Sequence, residues 1–288
     1  MWGIAPIYFK ALHMVPPMEI LMHRVIWSAV VLVLLIVGLR HIKKVIAAVS
    51  NRRVLLTLMA ASLLLACNWF LFIWAVNNNF MLEASLGYYI NPLINVFLGR
   101  LFLGERLRLT QKIAVGIAIS GVAIMIFNFG YLPWIALTLA CSFSIYGLMR
   151  KQVAVDSLPG LFIETIFILP AALIYWAFFV TQSGDFTQNS SQLNILLLCA
   201  GIVSTAPLLC FTAAARRIRY STLGFFQYIG PSLMFILAVV IYNEPLSTGR
   251  LVTFGFVWTA LAVFTYDSVK HYRREKKEKK LAALRPEA

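Results

Sequence analysis

Long, nearly uncharged apolar runs follow one another along almost the whole chain, and they leave few structures open to it. The runs span 2–14, 17–39, 54–76, 83–103, 111–129, 131–149, 157–180, 192–214, 221–242 and 249–268. A helix needs ~20 apolar residues to cross the ~30 Å hydrocarbon core of a bilayer, and all runs but the first approach that length. Within a bilayer every backbone polar group must be satisfied by the protein itself, which leaves helices or closed barrels. Continuous runs of this length read as helices. With 61% of residues hydrophobic and 12% charged, the apolar surface exceeds what a water-soluble core could hide, since soluble domains carry roughly 25% charged residues. The expected fold class is an all-α membrane protein with ten transmembrane helices. At 1.5 Å per residue the run 2–14 reaches only ~20 Å. It is expected to be a truncated helix, or one preceded in the natural chain by roughly ten more residues. It lacks the basic start and small-residue cleavage site of a leader peptide.

The charge distribution assigns an orientation. The formal net charge is +14, which by itself would also suit a nucleic-acid partner. The basic residues, however, sit between the runs, in every second loop, as the positive-inside rule requires. With the N-terminus in the cytoplasm, the inner loops hold Arg40, Lys43, Lys44, Arg52 and Arg53, then Arg106, Arg108 and Lys112, then Arg150 and Lys151, then Arg216, Arg217 and Arg219. The C-terminal tail holds the rest, apart from Lys10, Arg24, Arg100 and Arg250. Both termini are therefore expected to be cytoplasmic. The polybasic tail from His271 to Lys280 is expected to contact anionic lipid, and no nucleic acid is expected.

One signature occurs twice. Residues 84–107 read ASLGYYINPLINVFLGRLFLGERL and residues 221–246 read STLGFFQYIGPSLMFILAVVIYNEPL. Both carry Ser or Thr, Leu, Gly and two aromatics, then a Pro, and a Glu thirteen positions after it. The repeat divides the chain into 1–130 with spans one to five, 131–268 with spans six to ten, and the basic tail 269–288. Five spans per unit is an odd number, so the second unit crosses the membrane in the opposite sense. The two are inverted repeats about an axis in the membrane plane, an arrangement that serves alternating access. Glu105 would then lie at the inner end and Glu244 at the outer end. Each is expected to be a shared cap or a contact between the halves.

Five-plus-five spans with this paired signature resemble the EamA family of the drug/metabolite transporter superfamily. GIAPIYFK, PPMEILMHRVIWS, the NWFLFIWAVN stretch and SLGYYINPLINVFLG are similar to its RarD-type permeases. The resemblance covers all but the basic tail. It implies a multi-pass permease of the bacterial inner membrane that moves amino acids, drugs or metabolites. The branch is associated with chloramphenicol by name.

Polar side chains inside the runs mark candidate sites, because they are costly there. Arg24, beside His23, either snorkels to the outer interface or supplies a cavity cation. Glu164 aligns with His23 in the second unit. It is a counter-ion for Arg24, a proton-coupling group or a paired structural carboxyl. Tyr88, Asn91 and Asn95 share one helical face, and Gln227 with Tyr228 holds the matching place in the second copy. Pro92 and Pro231 are expected to break their helices near mid-span. Asn68, Trp69 and Trp74 in the third run are further cavity candidates, while packing or an interfacial role is the alternative for the two Trp. Cys67, Cys141, Cys199 and Cys210 read as small apolar fillers.

No Walker A loop, no HExxH and no G-x-S-x-G is present, so neither ATP-driven pumping nor a familiar hydrolase is indicated. No catalytic residue, metal or cofactor is expected. A secondary-active carrier for a small amphipathic metabolite or drug is left, with export as the expected direction and protons as a candidate coupling ion. An integral-membrane enzyme or a channel-like facilitator is the alternative.

Overall fold

A computed structural model describes residues 1–12, 14–78, 80–179, 183–241 and 248–283. Among them the chain is helical, with no strand. A 3-10 turn at Trp2–Ile4 leads into α1 (Ala5–Ala11). Then follow α2 (Pro17–Gly38), α3 (Ile42–Ser50), α4 (Arg52–Asn77), α5 (Met81–Leu103), α6 (Leu109–Phe129) and α7 (Trp134–Gln152). The remaining helices are α8 (Ser157–Phe179), α9 (Ser191–Arg217), α10 (Tyr220–Gln227), α11 (Ile229–Ile236) and α12 (Thr248–Ala283), with a π-helical stretch Leu237–Ile241 after α11.

The ends of these helices follow from local chemistry. Pro17 opens α2 at a position where its missing N–H costs nothing. Asn51 caps α4 by accepting from Val54 N at 3.2 Å, and Ser190 caps α9 by accepting from Leu193 N at 3.2 Å. Gly104 stops α5 with a φ of 62°, a left-handed conformation that glycine adopts without a Cβ penalty.

Among the described residues six helices are long and apolar enough to cross a membrane: Pro17–Gly38, Arg52–Ala75, Leu109–Phe127, Ser157–Phe179, Ser191–Arg217 and Leu251–Arg274. The chain is thus a multi-pass membrane protein. The other four expected spans fall short for separate reasons. The first is short, α5 carries Glu83, Asn91, Asn95 and Arg100, α7 ends in Arg150 and Lys151, and the ninth is divided at Tyr228. Large apolar side chains point outward, Phe127 at 83% and Phe178 at 77% exposure, as a lipid-facing surface permits.

Two of the polar segments are helical. The basic stretch 40–53 is not a plain loop but contains α3, whose Val45 and Ala48 pack with Leu58 and Ile163. The last span runs into the tail as one helix, α12, which continues to Ala283. Its Glu, Lys, Arg and Ala content favours helix.

Packing is mostly between elements distant in sequence. α6 lies along α12, α5 along α7 and α10, α2 along α8 and α9, and α4 along α7 and α8. Glycines permit the closest crossings. A Cβ on Gly201 would sit 2.4 Å from the carbonyl oxygen of Trp27, a backbone atom no rotamer change can move. Gly201→Val is expected to destabilise the protein by about 3 kcal/mol or more, read as a lower apparent Tm in detergent. An unchanged Tm would mean that α2 and α9 do not cross here.

The loops expected on the cytoplasmic side meet at one end of the bundle. Asp156 accepts from Lys44 Nζ at 2.8 Å and Arg216 Nη1 at 2.8 Å. The hydrogen bonds from Lys44 and Arg216 hold its carboxyl down at about 2. Any stability from this tie is present above the ordinary Asp range and lost as pH falls through about 2. With the carboxylate half exposed, the tie is worth little at neutral pH. At the same end Lys151 donates to Ala215 O at 2.8 Å, and Arg108 pairs with Asp267 at 2.6 Å.

Candidate functional site

Arg24 projects from the second turn of α2 into the bundle. Its guanidinium lies 5.5 Å from the Phe9 ring centroid and 4.9 Å from that of Trp69. Its Nε donates to Ser204 Oγ of α9 at 2.8 Å. Tyr8 and Tyr88 are within electrostatic reach. Among the described residues no carboxylate pairs with it. Two aromatic faces and one hydroxyl thus hold a cation that is in no ion pair among the described residues. Cation–π contacts of this kind are worth about 2 kcal/mol when desolvated.

A cavity adjoins Arg24. It is lined by Ser28 from α2, Trp69 from α4, Glu164 and Thr165 from α8, and Thr205 from α9, with Val25, Leu65, Leu161, Ile168 and Leu208 as apolar walls. Its volume of about 20 Å³ has room for roughly one water. Thr205 is 2% exposed, and its hydroxyl lacks a hydrogen-bond partner among the described residues.

Glu164 lines the same cavity but is not the partner of Arg24. It pairs with Arg150 Nε at 3.3 Å and accepts from Tyr146 Oη at 3.1 Å. Arg150 is fully buried rather than looped out, and also donates to Ser157 O at 3.2 Å. Gly160 makes room for it, since a Cβ there would lie 2.1 Å from Arg150 Nη1.

His23 faces away from this cavity. Trp27 Nε1 donates to its Nδ1 at 3.3 Å, so its Nε2–H donates to Ser183 Oγ at 3.0 Å. Ser183 in turn donates to Glu19, whose carboxylate also accepts from Ser183 N at 3.0 Å. This buried chain ties the start of α2 to the segment before α9.

The polar residues of the doubled signature meet one another. Asn95 Nδ2 donates to Gln227 Oε1 and, at 3.2 Å, to Asn91 Oδ1. Asn91 donates to Ser144 Oγ at 2.9 Å, and Tyr228 Oη to Tyr89 O at 3.1 Å. The signature glycines allow these approaches. A Cβ on Gly224 would lie 2.8 Å from Pro92 O, and one on Gly87 3.1 Å from Ala136 O. The helix breaks differ from expectation. α5 runs on through Pro92, and the second copy is interrupted at Tyr228, three residues before Pro231. Pro231 falls in the first turn of α11, where a missing N–H is tolerated.

Asn68 donates to Leu139 O at 2.9 Å and Ser142 Oγ at 2.8 Å, joining α4 to α7. Trp74 stacks on Phe80 at 5.8 Å and lies near Trp134 at 6.1 Å, away from the Arg24 cavity. Tyr88 is 44% exposed and packs its ring edge against Phe72.

Glu105 bridges the halves. Its carboxylate accepts from Tyr220 N, from Ser221 N at 2.9 Å and from Ser221 Oγ at 2.7 Å, capping α10. Gly99 leaves space for it. Glu105→Ala is expected to cost about 2 kcal/mol, a charged cap plus the helix-dipole term, seen as reduced thermal stability. Glu105→Gln should recover part of it. Glu244 lies outside the described residues.

Sequence reasoning missed Phe9, Ser204, Thr205, Glu19 and Arg150. The paired hydroxyls at 204 and 205 in an otherwise apolar run were the readable signal. Among the described residues no three His, Cys, Asp or Glu side chains converge as a metal site.

A multi-pass helical bundle with a small, mostly apolar cavity beside Arg24 is compatible with a solute transporter. The EamA-like transporter family matches residues 1–127. An "Uncharacterized transporter" of Vibrio cholerae is 55% identical, with 94% of this chain and 90% of the relative covered. "Protein RarD" of Escherichia coli K12 is 52% identical over 96% of this chain and 94% of the relative. "Chloramphenicol-sensitive protein RarD" of Pseudomonas aeruginosa is 32% identical over 94% and 91%. A solved crystal structure shares the fold with a TM-score of 0.68 at 20% identity, covering 92% of this chain and 93% of the other. The chain belongs to the RarD-type branch of the EamA-like transporter family.

Proposed function

We propose that the chain is a secondary-active carrier of the bacterial inner membrane, exporting a small amphipathic solute that bears a carboxylate. The observation that carries this reading is Arg24, held between Phe9 and Trp69 and bonded to Ser204, with no carboxylate partner among the described residues. A solute carboxylate would complete the pair. Its apolar part would lie against Leu65, Leu161 and Leu208, and Thr205 would supply a further hydroxyl. A cavity for a solute of this kind is ~300 Å³ or more, so the present conformation is closed around the site. Transport requires the walls to part.

The helix pairing supports ten spans in two inverted units, 1–130 and 131–268. Exchanging the two units turns the α2–α9 contact into α8–α4. It turns α5–α7 into the contact of α11 with the N-terminal turn, and returns α2–α8, α5–α10 and α6–α12 to themselves. The shared end of the basic loops supports cytoplasmic termini. Asn91, Asn95, Gln227 and Tyr228 hold the crossing of the units closed. They would line the path once it opens, with Tyr88 beside Arg24. Glu164 is the candidate proton-coupling group because it lines the cavity.

Counterflow in proteoliposomes tests this. Labelled phenylalanine, which carries a carboxylate, should exchange saturably, and the neutral drug chloramphenicol more weakly. Preference for chloramphenicol, whose name a relative bears, would reject the carboxylate reading. Conversion of the solute to another compound would favour an enzyme.

A further inference from the structure

We propose that the start of α4 forms a binding site for an anionic glycerophospholipid. An open groove of about 600 Å³ lies there, lined by Arg52, Arg53, Leu56, Thr57, Ala60 and Met149. It has a charged end and an apolar length. Arg52 and Arg53 stand in the first turn of α4, beside the N–H groups that favour an anion. Leu56 and Ala60 follow at helical spacing, and the same exposed face continues through Leu63 and Phe70. In a membrane protein this outward apolar face borders lipid.

Charge complementarity selects the occupant. Three cations at this end of the bundle have acidic partners: Lys44 and Arg216 share Asp156, and Arg108 holds Asp267. Among the described residues Arg52 and Arg53 have none. Both arginines line the groove, and a phosphodiester there accepts from their forked N–H donors. An acyl chain then runs from the phosphate along Leu56, Ala60 and Leu63, while Met149 of α7 adapts to its shape. The phosphate end and the acyl length are in register on one helix face, which a soluble anion would not use. This site is separate from the basic tail and from the Arg24 cavity.

The test uses the full chain in detergent, with dioleoylphosphatidylglycerol, dioleoylphosphatidylcholine, glycerol 3-phosphate or inorganic phosphate added at equal concentration. Phosphatidylglycerol should raise the apparent Tm by about 5 °C and appear as a retained adduct in native mass spectrometry. Arg52→Gln/Arg53→Gln should reduce that adduct by about tenfold or more, and Ala60→Trp, which fills the groove without touching the charges, should do the same. Arg273→Gln/Arg274→Gln in the tail should retain it. Equal stabilisation by phosphatidylcholine would overturn the charge selection. Equal stabilisation by either soluble phosphate would overturn the lipid assignment. Adducts unchanged in both groove variants would overturn the site.

Discussion

Arg24→Gln is expected to raise the KM for a carboxylate solute by about 10- to 100-fold, while a neutral amphipathic solute changes by less than about twofold. That range follows from a hydrogen bond to a charged group, worth about 1.5–3 kcal/mol, at 1.4 kcal/mol per decade. Gln can still donate toward Ser204 but has no charge to offer. Arg24→Lys keeps the charge and loses the flat guanidinium between Phe9 and Trp69, so its KM should fall between the two. Trp69→Leu should weaken both solutes, since it removes an apolar wall as well as an aromatic face. The measurement is initial-rate uptake into proteoliposomes, with membrane insertion checked by size-exclusion chromatography. An Arg24→Gln protein that discriminates acid from neutral solute as the parent does would eliminate the carboxylate site.

Much of the helical framework could be read from hydropathy because lipid enforces a simple rule on the backbone. The meeting of Asn95 with Gln227 was also readable, since the doubled signature puts polar residues in the same region of two helices that face each other. What hydropathy could not resolve was the tertiary role of a charge near the end of a run. Arg150 stands next to Lys151, and together they look like a loop marker. The structure separates them: Lys151 reaches the Ala215 and Ile218 carbonyls, while Arg150 turns inward to Glu164. Only packing decides that, and its trace in the sequence is Gly160. A lone glycine in an apolar run also serves turns, bulges and close helix crossings, so it does not point to a buried arginine. Glu19 was missed for a related reason. It follows Pro16 and Pro17 at a helix start, where an acid needs no further account, yet it anchors Ser183 from the far side of the second half. A pair between Arg24 and Glu164 was one of three readings open for the carboxyl, because both lie within apolar runs. They do share a cavity, but each has its own surroundings.

Breaking the Arg150–Glu164 pair on one side should destabilise the protein by about 3–5 kcal/mol, because the surviving charge is left without its counter-ion in a medium of low dielectric. Arg150→Met and Glu164→Leu are both expected to show it as a large fall in apparent Tm. The double variant Arg150→Met/Glu164→Leu should regain most of the loss. Arg150 Nε and Nη1 and Glu164 Oε1 have no hydrogen-bond partner among the described residues, so the pair recovers its desolvation cost poorly and a packed apolar substitute has little to match. Stability is then a weak reason for the pair, and its position offers a stronger one. Glu164 faces the cavity that holds Arg24, while Tyr146 and Arg150 hold its two oxygens from behind. A proton delivered to Glu164 would loosen Arg150 and change the charge facing the solute. The double variant separates the two roles. If the pair only holds the fold, the rescued protein transports with the parent's pH profile. If Glu164 couples protons, the rescued protein folds, retains solute exchange at equal pH on both sides, and no longer responds to an imposed pH gradient.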